Sequence, residues 1–241
     1  MERTVEAFPQ VSWDELPKLS AAQMQQLLML ATGKYGLDSR VLVEHTARNL
    51  TELVETFAPD GPVLVVAGRG NNGSGGLAAA RILGARGRRV WVVPTHEYEN
   101  YSGTPREQLE LLRHYENVKI KSSLPRMKYG CVIDAAIGTR LEGPPRGRTL
   151  DVITVVNNLA GSCPVLSLDA PTGLQADDGA VPGAVLEASM TLAVGLPKQG
   201  TKPGGSVGRL FIGDLALPPA LFTDMGIEAY RANAFVSEVC L

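Results

Sequence analysis

Two short apolar runs in this chain each close on an aspartate. "VIDAAIG" carries Asp134, and "LSLDAPTG" carries Asp169 with the hydroxyl of Thr172 shortly after it. A carboxylate at the end of a strand can bind a cation, hold a ribose hydroxyl or move a proton. Upstream lies "GRGNNGSGG", residues 68–76, where five of nine residues are glycine and two are asparagine. Gly68, Gly70 and Gly73 satisfy G-x-G-x-x-G between an apolar run and a helical pattern. Backbone N–H groups and a helix N-terminus there can face a phosphate. The amides of Asn71 and Asn72 donate to oxygens and accept from a cation or a hydroxyl. Asn72, Asp134 and Thr172 together are hard oxygen donors, suited to K⁺, Mg²⁺ or Ca²⁺ and not to a soft metal.

Two familiar uses of such a loop fail on detail. A dinucleotide-binding unit places an acid about 20 residues on, at the end of the second strand. That run reads "VWVVPTHEY", with Pro94 where the acid belongs and Glu97 arriving late. A nucleoside-triphosphate loop needs Gly-Lys-Ser/Thr, but Gly73 is followed by Ser74 and Gly75 and no lysine is present.

Helices and strands have to present these groups. "LSAAQMQQLLMLATGKYG" puts Met24, Leu27, Leu28 and Ala31 on one helical stripe behind Ser20 as N-cap. "LDSRVLVEHTARNLTELVETFA" does the same through Val41, Leu42, Leu50 and Val54, starting at Asp38 or Ser39. Beyond them, short apolar runs alternate with helical segments, with strands recurring roughly every 25–30 residues, the rhythm of βαβ units. A helix is expected from Ser74, after the glycine loop. Continuous apolar strands fit burial on both faces. The expected fold is a Rossmann-like three-layer α/β sandwich with a mostly parallel central sheet and two N-terminal helices. The chain is expected to form one domain over 1–241, with a core of about 18–217 and a tail, 218–241, of no evident role. Ligands in such sheets bind outside the carboxyl ends of the strands, which selects the loops 68–76, 94–104, 135–147 and 169–183.

The bulk numbers remove other classes. A formal charge of −2 over 241 residues gives no electrostatic case for nucleic acid or an acidic membrane. "MERTVEAFPQ" lacks the apolar core of a secretory signal, and "VLVVA" and "TLAVGL" are too short to cross a bilayer. Cys131, Cys163 and Cys240 are odd in number and lack CxxC spacing, which fits reduced thiols in the cytoplasm, with Cys131 and Cys163 buried in strands. His45, His96 and His114 show no paired spacing for zinc.

The order of motifs resembles the YjeF N-terminal domain family, the NAD(P)H-hydrate epimerases. It is carried by "VLVEHTAR", "AGRGNNGSGGLAAARIL", "VIDAAIGTRLEGPPRG", "LSLDAPTGLQADDG", "TLAVGLPKQGTKPG" and "GRLFIGDLALP", from about residue 20 to 217. The resemblance implies a dimeric Rossmann-like protein that repairs nicotinamide nucleotides. Its substrate is NADH or NADPH hydrated at C6, whose R and S forms it interconverts. It implies substrate contacts from Asn71, Asn72, Gly73, Ser74 and Gly75, from Gly138, Thr139, Arg140, Leu141, Glu142, Gly143 and Pro144, and from Asp169. It implies one K⁺ per subunit at Asn72, Asp134 and Thr172. Many bacterial members are fused to a dehydratase; this chain is expected to lack that domain and to depend on a separate dehydratase as pathway partner. Asp169 is the leading candidate for moving a proton at the C6 hydroxyl, and Asp134 is the second catalytic candidate. Departures from the family pattern are Gly75 for an aspartate in NNGGDG, Arg140 for a glycine in GTGL, "PPRG" for PLRG, and "VEHTA" for MENAG, where Glu44 is kept. Gly75 and Arg140 also support an alternative: a nucleotide-binding or scaffold protein on the same fold without the reaction.

Overall fold

The computed structural model describes residues 8–159, 161–228 and 230–241, so residues 1–7 of the stretch read for a secretory signal lie outside it. Strand β1 (Gln10–Ser12) precedes helices α1 (Ala21–Gly33) and α2 (Ser39–Phe57). Ser20 caps α1 in a reciprocal box: its Oγ accepts from the Gln23 N–H at 3.1 Å, and Gln23 Oε1 accepts from the Ser20 N–H at 2.8 Å. Asp38 caps α2 by accepting from the Arg40 N–H at 2.7 Å. Then follow β2 (Val63–Ala67), α3 (Asn71–Ala85), β3 (Val90–Pro94), α4 (Gly103–Leu112), β4 (Val118–Ile120), β5 (Cys131–Ala135), α5 (Gly147–Leu159), β6 (Val165–Leu168), β7 (Met190–Val194), β8 (Arg209–Gly213), α6 (Pro219–Asp224) and β9 (Val236–Cys240).

The strands form one sheet in the order β1-β9-β8-β7-β6-β5-β2-β3-β4, parallel throughout except for the β8–β9 pair. From β2 the chain steps outward to β3 and β4, then returns to place β5 on the other side of β2 and continues through β6, β7 and β8. The crevice where the winding reverses therefore opens between the ends of β2 and β5.

β2 shows why its sequence carries no alternation. All five of its residues are buried. Val63, Val65 and Ala67 face a core shared with Leu50 and Val54 of α2, Leu77 and Leu83 of α3, and Leu109 of α4. Leu64 and Val66 face Val152, Ile153 and Val156 of α5. Both faces are covered, and each buried Val or Leu contributes about 1.5–3 kcal/mol relative to exposure.

The structure differs from the sequence reading in four places. Val41 is 43% exposed, and the buried stripe of α2 runs instead through Leu42, Ala47, Leu50, Leu53 and Val54. Val41 lies in the first turn, where one step around the helix carries it off the core face. α3 starts at Asn71, so most of the "glycine loop" is helix. The tail supplies α6 and β9, and β9 is an internal strand between β8 and β1. Cys131 sits in β5 as expected, while Cys163 is buried just ahead of β6.

Candidate functional site

β2, β5 and β6 are neighbours, and their register aligns Val66 with Asp134 and Asp134 with Ser167. The segments that follow them, from Gly68, Ala136 and Asp169, therefore leave one edge of the sheet side by side. That alignment brings Asn71–Gly75, the loop Gly138–Pro144 and Asp169 to the same edge of the sheet. Pro94 ends β3 in register with Ala67, so no acid stands where a ribose would be held in a standard dinucleotide site. The β3 loop instead closes the end of β2: the buried Tyr101 hydroxyl donates to the Ala67 carbonyl at 2.7 Å. Next to it, burial and the charges of Arg69 and Arg148 push the His96 imidazole below its usual range.

The glycines of 68–76 serve packing more than ligand approach. A Cβ on Gly68 would lie 2.0 Å from the Ala136 carbonyl oxygen, and one on Gly73 only 1.8 Å from the Gly68 carbonyl oxygen. A Cβ on Gly76 would lie 2.4 Å from Ala135 Cβ, whereas Gly70 has open space around it. The first turn of α3 thus lies directly on the ends of β2 and β5. Gly70 is the N-cap and has no side-chain cap, so the first-turn N–H groups face the crevice edge without a local acceptor.

Gly75 is a further contact of this kind. Its Cβ position is 2.8 Å from Leu168 Cδ2 and 3.0 Å from Thr46 Cγ2. Thr46 on α2 and Leu168 at the end of β6 therefore occupy the space a side chain at 75 would need. Gly75→Asp is expected to destabilise the protein by about 1–3 kcal/mol. Adding Thr46→Ala, which removes one of the two obstructing groups, should recover part of that loss. Thermal melts of the single and double variants test this, and equal melting of both would refute it.

Asp134 is wholly buried and bonded on both oxygens. Oδ1 accepts from the Thr172 hydroxyl at 2.7 Å and the Ala136 N–H at 3.2 Å. Oδ2 accepts from the Ser167 hydroxyl and the Thr172 N–H, each at 2.9 Å. Burial pushes the Asp134 carboxyl above the usual carboxylate range, against the pull of these donors. Thr172 also reaches the loop after β5, accepting from the Ile137 N–H at 2.9 Å with its hydroxyl 3.1 Å from the Ile137 carbonyl oxygen. Asn72 approaches the same peptide: its Cγ lies 3.0 Å from the Cβ position of Gly138. Ser167 carried no signal in the sequence; its place opposite Asp134 depends on strand register.

Asp169 follows β6 in the left-handed region, at φ 70°. Its N–H donates to the Leu192 carbonyl at 2.7 Å. Its Oδ1 accepts from the Val194 N–H at 3.3 Å and from the Lys198 ammonium. Lys198 has no exposed side-chain surface, whereas the Asp169 side chain is 13% exposed. Nothing in the local chemistry of "TLAVGLPKQG" gives this lysine a role. Its signal is a lysine four residues past the end of β7, the strand beside β6.

The loop after β5 leaves Arg140, Glu142 and Pro144 exposed, with Thr139, Leu141 and Gly143 half-buried. Arg140, Glu142, Arg146 and Thr149 line a polar cavity of about 350 Å³. A cavity of about 360 Å³ at the far sheet edge, between α4 and β4, is lined by Leu109, Leu112 and Ile120 and contains none of these aspartates. Among the described residues no cluster of three His, Cys, Asp or Glu side chains is arranged for a metal, and no helix is long and apolar enough to cross a membrane.

A doubly wound sheet that gathers a helix N-terminus and two aspartates at its switch point defines an α/β protein of Rossmann-like fold. The family model for YjeF-related protein N-terminus matches residues 39–200, and the chain belongs to that family. It is 60% identical over 214 residues to the NAD(P)H-hydrate epimerase of Truepera radiovictrix, across 89% of this chain and 96% of that protein. It is 31% identical over 219 residues to the bifunctional NAD(P)H-hydrate repair enzyme Nnr of Moorella thermoacetica, across 84% of this chain and 41% of that longer protein. The crystal structure of yeast ynu0, YNL200c, superposes with a TM-score of 0.80 at 19% identity, covering 92% of this chain and all of the yeast chain, and so shares its fold.

Proposed function

We propose that this protein is an NAD(P)H-hydrate epimerase, interconverting the R and S forms of NADH and NADPH hydrated at C6. The observation that carries the reading is the 60% identity to a relative of that name over nearly the full length of both chains. The crevice supports it, since a helix N-terminus suited to a nucleotide phosphate lies beside an aspartate with a free oxygen. C6 of the hydrate is bonded to both the ring nitrogen and the hydroxyl, so the nitrogen lone pair can help expel the oxygen. Water then returns to the other face, or the ring opens and recloses. Either route needs a group that moves a proton to and from that hydroxyl oxygen. We assign that exchange to Asp169. Asp134, closed off from the crevice by its four donors, is assigned to holding Thr172 and the loop after β5. Asn71 to Gly75, with Gly138 to Pro144, would contact the nucleotide.

The donor set also fits K⁺, one ion per subunit. The Thr172 hydroxyl has one proton, and its 2.7 Å contact to Asp134 takes it. The 3.1 Å approach to the Ile137 carbonyl is then oxygen to oxygen with no proton between, an arrangement a hard cation relieves. Asn72 Nδ2 is buried with no hydrogen-bond partner among the described residues. A half-turn of that amide puts its oxygen in the same place. Asn72, the Thr172 hydroxyl and the Ile137 carbonyl would hold the ion, with the Asp134 carboxylate behind Thr172 orienting that hydroxyl. The reading also includes a homodimer, a cytoplasmic setting and a separate dehydratase; the bifunctional name of the longer Moorella protein supports that last coupling.

The test is chromatographic separation of the two hydrates during equilibration, with and without purified protein, in KCl and in tetramethylammonium chloride at equal ionic strength. Faster equilibration is expected with protein, and more so in KCl. The melting temperature should also be higher in KCl, and Thr172→Val should remove that difference. No acceleration in either salt would reject the epimerase reading. Equal melting and equal turnover in both salts would reject the ion.

A further inference from the structure

We infer that Lys198 is a positioning residue that makes Asp169 one-sided, holding Oδ1 from behind so that Oδ2 alone faces the crevice. The inference rests on the epimerase reading for what Oδ2 does there, but the geometry stands by itself. Lys198 is fully buried, and its ammonium meets Asp169 Oδ1 and, at 3.3 Å, the Val194 carbonyl. The Val194 N–H adds a second donor to Oδ1. Oδ2 has no partner among the described residues and is not among the buried unpaired atoms, so it is the oxygen open to solvent. The backbone is committed to this arrangement, since Asp169 is held at φ 70°, a region non-glycine residues seldom adopt and one that recurs where structure is set for function.

The stem of Lys198 is fixed as firmly as its tip. Its N–H donates to Thr201 Oγ1 at 3.1 Å, the Thr201 hydroxyl donates back to its carbonyl at 2.9 Å, and Leu19 bridges to it from just ahead of α1. An ammonium without exposed surface cannot touch a substrate, so any effect on turnover passes through Asp169. A buried charge also needs its partner, because removing one member leaves the other unpaired.

The experiment compares Lys198→Met, Asp169→Asn and the double variant with the unmodified protein, by steady-state kinetics on the separated hydrates and by thermal melting. Lys198→Met is expected to lower kcat about 100-fold with KM within about twofold, because misaiming a reacting group by an ångström costs that much. The double variant should turn over no more slowly than Asp169→Asn, and should melt above Lys198→Met. If Lys198→Met does not fold, folding of the double variant still supports the inference. A Lys198→Met protein with kcat within about threefold of the unmodified protein would overturn it. So would a double variant that fails to fold, or one about tenfold slower than Asp169→Asn. If the unmodified protein is inactive, the epimerase reading fails, whereas the order of melting temperatures still decides whether the lysine acts through Asp169.

Discussion

Replacing Asp169 by asparagine is expected to lower kcat for hydrate epimerisation about 10³-fold while the protein stays folded. The two donors behind the residue dictate the reason. The Val194 N–H and the Lys198 ammonium both require an oxygen in the Oδ1 position. They therefore hold an asparagine amide with its oxygen inward and its NH₂ toward the crevice, and an NH₂ group there neither takes up nor releases a proton near neutral pH. The fold survives because the inward hydrogen bonds are kept. The cost is an ammonium facing a dipole in place of a charge, about 3–5 kcal/mol and roughly 6–20 °C in Tm for a chain of this size. Kinetics on the separated hydrates together with a melting curve measure both parts. Turnover within tenfold of the unmodified protein would remove Asp169 from the mechanism.

Gly73→Ala is expected to lower Tm by roughly 6–12 °C, about 3 kcal/mol, and to weaken nucleotide binding with it. The new methyl would lie 1.8 Å from the Gly68 carbonyl oxygen, and both groups are fixed backbone. The first turn of α3 must then lift away from β2, taking its N–H groups out of line with the crevice. Gly70→Ala, three residues earlier and facing open space, is the control, expected to melt within roughly 3 °C of the unmodified protein because its cost as an N-cap change is below about 1 kcal/mol. Differential scanning calorimetry distinguishes the two. Equal melting of both variants would show that the glycines serve ligand approach and not the seating of the helix.

That contrast marks how far the sequence could be read. The alternation of apolar runs and helical stretches located β2 through β8 and α1 through α5, because buried parallel strands leave continuous apolar segments and the caps Ser20 and Asp38 use local chemistry. The strand-end aspartates were visible for the same reason. What the sequence hid depends on which elements meet. Gly73 reads as a phosphate-loop glycine until Gly68 is known to lie under it. Gly75 reads as a lost carboxylate until Thr46 and Leu168 are seen filling its space. Ser167 and Lys198 gain meaning only once β5, β6 and β7 stand side by side. β1 spans only Gln10–Ser12, too short for periodicity, and β9 lay in a tail whose neighbours no local pattern names.

The place of β9 has a consequence for how the protein is made. β1 touches the sheet only through β9, with Gln10 beside Glu238 and Ser12 beside Cys240. On the ribosome the chain emerges from its N-terminus, and the central strands can assemble as they appear. β1 nevertheless has no strand to pair with until β9 has left the exit tunnel. Closure of that sheet edge therefore waits for β9, and loss of β9 would leave β1 unpaired as well.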